Sequence, residues 1–192
     1  VEVVGDVMYD VALFYGPRAE RRSHILRALG LTRGTYALAT VHRQENTDDS
    51  LVLGRILSAL RRVAAMLPVV VPAHPRLRAR LRRKGGGGDL AEVGDSGMRF
   101  IDPVSYLDMV QLERSAAVIL TDSGGVQKEA LFHRVPCVTL REETEWVETV
   151  EMGWNRLVGT DPERVEEAVR KAIGREDRSA APPEESPFGG AP

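Results

Sequence analysis

Short, solid apolar runs alternate along this chain with longer stretches whose apolar residues recur every three or four positions, and few folds accept that pattern. Residues 36–41 ("YALATV") form a buried run, residues 51–67 have helical spacing, and residues 69–72 ("VVVP") are again strand-like. Asp48, Asp49 and Ser50 offer caps for the helix between them, and Pro68 ends it. The alternation continues with a helix over 75–84, a strand over 98–102, a helix over 105–116, a strand over 117–121 and a helix over 124–133. It closes with strands over 136–140 and 156–159 and a helix over 161–174, with Pro162 in its first turn. Strands apolar on both faces, each followed by a helix, predict an α/β fold: a Rossmann-like, doubly wound parallel sheet with helices on both sides.

With 43% hydrophobic and 28% charged residues, the 192-residue chain can bury one core of ordinary domain size. The net charge is −2, with 26 basic residues scattered among 28 acidic ones, so no basic face is available for nucleic acid. One cysteine, Cys137, lies in an apolar run, which argues for a reducing compartment and against a disulfide framework. No run approaches the length of a membrane span, so a cytoplasmic protein without a membrane partner is expected. The chain opens on the strand-like Val1-Glu2-Val3-Val4 rather than on methionine, as a piece of a longer protein would. Gly85–Gly88 reads as a surface loop, since neither a helix start nor a Lys-Ser/Thr pair follows it. Residues 176–192, rich in Pro, Gly and Ser, read as a loose tail.

In a doubly wound sheet, ligands bind beyond the carboxyl ends of the strands. Polar clusters follow four of the predicted strands: "HRQEN" at 42–46, "AHPR" at 73–76, "DSGG" at 122–125 and "REETEW" at 141–146. The paired glycines admit two readings, a tight turn that suits the packing or a cradle of backbone N–H groups for an anion. A helix starting at Gly124 and Gly125 points free N–H groups and partial positive charge over the strand end, and lets a phosphate approach the backbone. Ser123 either caps that helix or donates to a phosphate oxygen, while Asp122 fixes the turn. Glu129, about one turn further on, accepts hydrogen bonds and suits the paired hydroxyls of a ribose; its bland reading is an exposed helical glutamate. Arg43 offers a planar fork to phosphate and His42 carries or passes a proton near neutral pH; otherwise the cluster is a helix entry with a local Arg-Glu pair. His74 is a second strand-end imidazole. His24 and His133 lie in helical patterns with no cluster around them, and four histidines without paired cysteines give no metal-ligand spacing.

Taken in order, "HRQEN", "PAHPR", "DPVSYLDM", "LTDSGGVQKEA", "PCVTLREETEW" and "LVGTD" resemble the motifs of the non-hydrolysing UDP-N-acetylglucosamine 2-epimerases. The likeness spans residues 5–173. It implies a glycosyltransferase-B-like fold of two Rossmann-like halves, with this chain as the C-terminal, nucleotide-binding half and residues 1–15 as the segment crossing from the other half. The domain proper would cover 16–175. The reaction implied is interconversion of UDP-N-acetylglucosamine and UDP-N-acetylmannosamine by elimination of UDP and its re-addition. By the same resemblance, His42 is the catalytic histidine near the diphosphate, and Arg43 and His74 are phosphate or regulatory contacts. Ser123 with the Gly124 and Gly125 amides holds phosphate, and Glu129 holds ribose. No NAD or metal is implied, the partner is UDP-N-acetylglucosamine or UDP, and the full-length protein would be a homodimer.

Three places depart from the family's pattern. Glu145-Trp146-Val147-Glu148 stands for Glu-Arg-Pro-Glu, Met109 for an aromatic residue at the uracil pocket, and residues 186–190 resemble a late Pro-Phe-Gly-Asp-Gly but the chain ends before the family's last helix. The proton-transfer carboxylates of the family belong to the other half, so this chain is expected to be inactive alone. Two rivals remain: a glycosyltransferase of the same fold, and a non-catalytic module that senses a UDP-sugar. A diacetamido-uronate sugar is an alternative substrate within the family.

Overall fold

The apolar runs pair into one sheet. The computed structural model describes residues 5–83 and 97–174, so the readings at 1–4, 85–88 and 176–192 lie outside the described residues. The elements follow in the order α1 (Val7–Arg22), α2 (Ile25–Leu29), β1 (Ala37–Thr40), α3 (Gln44–Asp48), α4 (Ser50–Ala64), β2 (Val69–Pro72), α5 (Pro75–Arg83) and β3 (Met98–Ile101). They continue with α6 (Tyr106–Ser115), β4 (Val118–Thr121), α7 (Gly124–Phe132), β5 (Cys137–Thr139), α8 (Val147–Glu151), β6 (Asn155–Leu157) and α9 (Pro162–Ile173). Every pairing among these strands is parallel, in the order β3-β2-β1-β4-β5-β6. That is the doubly wound Rossmann order, whose reversal point falls between β1 and β4.

The two faces of the sheet follow from the period-2 alternation of each strand. Ala37 and Ala39 of β1, Val69 and Val71 of β2, and Val118 and Leu120 of β4 turn to one face, where Ile56, Leu60 and Val63 of α4 meet Val165 and Val169 of α9. Leu38, Val70 and Ile119 turn to the other, against Leu112 of α6 and Ala130 of α7. Of the caps read for α4, Asp49 accepts from the Leu51 and Val52 N–H groups, and Asp161 caps α9 through those of Glu163 and Arg164.

The sequence reading did not assign α1, α2, α3 or α8. Within the segment read as the crossover, α1 starts at Val7, capped by Asp6, and runs through position 15 to pack on α6 and α7. No helix among the described residues is long and apolar enough to cross a membrane.

Candidate functional site

At the reversal point β1 and β4 end side by side, Thr40 in register with Thr121 and their hydroxyls 2.6 Å apart. The next residue after β4, Asp122, is fully buried. Its carboxylate accepts from the backbone N–H of His42 (3.1 Å) and of Arg43 (3.0 Å), and from the Asn46 amide (3.0 Å). It also faces His42 Nδ1 at 2.9 Å. Burial alone pushes this carboxyl up, but the hydrogen bonds from His42, Asn46 and Arg43 outweigh it and hold Asp122 below its ordinary value. The turn-forming role read for Asp122 is therefore too small. A buried carboxylate on Nδ1 fixes the plane of the imidazole and leaves Nε2 as the nitrogen that meets a ligand. The signal was long-range, since Asp122 reaches His42 across 80 positions of chain.

Across the same crevice, α7 begins. Ser123 caps it, its hydroxyl accepting from the Val126 N–H at 3.5 Å while its own N–H donates to Thr121 Oγ1 at 2.9 Å. Gly124 and Gly125 occupy the first turn, where backbone N–H groups have no acceptor within the helix. The two glycines differ in surroundings. A Cβ on Gly124 would stand 3.1 Å from Trp146 Nε1 and 3.3 Å from Glu145 Oε2, whereas one on Gly125 would make ordinary contacts with Met8 and Ser123.

Not all the expected site residues share one space. His42, His74 and Ser123 line a cavity of about 220 Å3 together with Val104, Met109 and Val126, and the two imidazole centroids are 5.8 Å apart. Its wall is mostly apolar and suits a planar base. Arg43 turns the other way, toward Glu145 at 3.3 Å and Glu45 at 3.5 Å. Glu129 is half-buried further along α7, and burial raises its carboxyl despite the opposing pull of the Lys128 ammonium. A larger cavity, about 410 Å3, lies between β5, β6 and α9 and includes none of these residues.

The sequence reading marked the 141–146 cluster without giving Arg141 or Glu145 a role, and it did not mark Lys128. Arg141, just beyond β5, holds Glu145 through both guanidinium ends at 2.9 and 3.0 Å. The spacing of four between them was a usable signal. Lys128 of α7 is nearly buried, bonded to Asp6 at 2.6 Å and lying 4.0 Å over the Trp146 ring. This pair ties the entry of α1 to the start of α7, and no local pattern in the sequence marks it.

A family model described as UDP-N-acetylglucosamine 2-epimerase matches residues 1–191. The UDP-N-acetylglucosamine 2-epimerase homolog of Methanococcus maripaludis is 46% identical over 88% of this chain and 46% of its own length. The UDP-2,3-diacetamido-2,3-dideoxy-D-glucuronate 2-epimerase of Pseudomonas aeruginosa is 44% identical over 90% of this chain and 45% of its own. Among solved structures, the Methanocaldococcus jannaschii UDP-GlcNAc 2-epimerase in complex with UDP-GlcNAc and UDP superposes with a TM-score of 0.84 at 34% identity, covering 98% of this chain and 51% of that one. The chain thus spans about half the length of the curated relatives it matches.

Proposed function

Because the chain belongs to the UDP-N-acetylglucosamine 2-epimerase family, we propose that it is the C-terminal, nucleotide-binding half of an isomerase that interconverts UDP-N-acetylglucosamine and UDP-N-acetylmannosamine. The observation that carries this reading is the Asp122-braced His42 facing the Ser123-Gly124-Gly125 helix start across the sheet's reversal point. Elimination of UDP places growing negative charge on a departing diphosphate. The free amides of Gly124 and Gly125, the positive end of α7 and the His42 imidazole are all aimed where that charge develops. On this reading the uracil lies in the apolar cavity beside Met109 and Val104, with His74 at its border, Glu129 accepts from the ribose hydroxyls, and Arg43 reaches the phosphates by leaving Glu145. Neither NAD nor a metal is needed for this chemistry. The same reading makes the whole protein a cytoplasmic homodimer.

A second sugar is supported by one observation. The relative named for a diacetamido-glucuronate is 44% identical, close to the 46% of the homolog named for UDP-N-acetylglucosamine. On that reading the nucleotide grip is unchanged and only the sugar differs.

Calorimetric titration with UDP tests the grip. Expected are UDP binding, far weaker binding of uridine, and loss of UDP affinity in both Ser123→Ala and Glu129→Ala. A chain that binds uridine as well as UDP would sink the anion cradle.

A further inference from the structure

Glu145 already sets a carboxylate at the α7 start, where it would repel an incoming phosphate. Its Oε2 stands 3.3 Å from the Cβ position of Gly124, at the mouth of the α7 start. The carboxylate is there because two guanidinium groups hold it, Arg141 through both ends at 2.9 and 3.0 Å and Arg43 at 3.3 Å. Arg141 beside it holds the Glu145 carboxyl down at about 2, so the group is ionised at any working pH.

The partners differ in freedom. The Arg141 side chain is 8% exposed and fixed in place, whereas that of Glu145 is 52% exposed. The backbone beside Glu145 is anchored, since Trp146 N–H donates to Thr144 Oγ1 at 3.0 Å and that hydroxyl donates to the buried Gln127 at 2.5 Å. Of the Arg141–Glu145 pair, the carboxylate arm is the exposed member. A nearly buried guanidinium left unpaired is costly; Arg141 is held closely by Glu145, with Glu45 further off at 4.0 Å.

We propose that the Glu145 carboxylate is an internal stand-in for the nucleotide's diphosphate, neutralising Arg43 and Arg141 in the empty chain and swinging out when the diphosphate takes over both guanidinium groups. This rests on the nucleotide site described under the proposed function. Guanidinium forks match phosphate oxygens as well as carboxylate oxygens, so the exchange keeps both cations paired throughout. The device also sets selectivity. A ligand without a diphosphate gives the two arginines nothing in return for Glu145, whereas UDP offers several oxygens at once.

The test compares UDP and uridine affinities of the 192-residue chain and its Glu145→Gln variant by calorimetry at one low ionic strength. Glu145→Gln is expected to bind UDP about fivefold more tightly, the scale of a half-exposed ion pair, with uridine affinity unchanged. Glu145→Asp, which keeps the charge on a shorter arm, is expected to fall between the two. Melting curves identify a variant that has lost structure, because UDP and uridine binding then fall together and the Glu145→Asp comparison decides. If UDP binds the parent chain and neither variant binds it more tightly, the stand-in is overturned while the cradle survives. If UDP binds none of the three chains, the nucleotide site itself fails, and the stand-in with it.

Discussion

Asp122 joins the catalytic candidate to the fold. Of the groups at the crevice it alone is fully buried and ionised, and its oxygens receive His42, Arg43 and Asn46 at once. Replacement by Asn keeps the shape but puts a donor where four donor groups from three residues converge. Asp122→Asn is expected to lower stability by roughly 2–4 kcal/mol, as removal of one partner from a buried ionic cluster does. The pH dependence has a definite sign. The folded carboxyl lies below its unfolded value of about 3.9, so its contribution is present above that value and lost as pH falls through the folded one. Denaturation of the parent chain and variant between pH 3 and 7 should therefore show a stability gap that is full near neutrality and closes in acid. A gap that stayed constant down to pH 3 would mean Asp122 is not the ionised hub.

At the scale of the element, α7 sets helix stability against nucleotide grip. Gly125 lies in the helix without a left-handed φ, and a methyl there would meet Met8 and Ser123 only at 3.7 and 3.8 Å. Alanine is the better helix former by up to about 1 kcal/mol, so Gly125→Ala should raise the melting temperature by about 2–4 °C. The same methyl keeps a phosphate away from the backbone N–H groups, and UDP affinity should drop by about tenfold, or about 1.4 kcal/mol. A variant that melts higher and binds UDP undiminished would show that Gly125 serves packing only. The sequence made this helix legible, along with the strands and α4, α6 and α9, because their apolar periods agree with their caps. It hid α1, whose interior contains Gly16 and Pro17, both helix breakers. Packing overrides them: a Cβ at Gly16 would lie 3.3 Å from the Arg114 guanidinium, and Arg114 donates to the Gly16 carbonyl. His42, Arg43, Ser123 and the glycines were legible for a similar reason, as each follows a readable strand. Lys128 was not read as a site group because its contact with Asp6 spans 122 positions, whereas Arg141 and Glu145, four apart, were noted only as part of a polar cluster.

For the whole molecule, the arrangement of charge separates binding from turnover. Inversion at carbon 2 needs a group that removes the C2 proton and a group that returns one to the opposite face. The carboxylates described around this crevice are already engaged: Asp122 with His42, Arg43 and Asn46, Glu145 with Arg141 and Arg43, and Glu45 with Arg43. Glu129 is half-buried along α7 and assigned to the ribose. On the proposed function, what remains would hold a diphosphate and steady its departure, which accelerates nothing unless the C2 proton moves as well. The 192-residue chain should therefore bind UDP-N-acetylglucosamine yet neither form the C2 epimer nor exchange the C2 hydrogen. Incubation in deuterium oxide followed by proton NMR checks both at once. Deuterium at C2 would mean that His42 or His74 suffices as the base, and the division of labour between two halves would have to be given up.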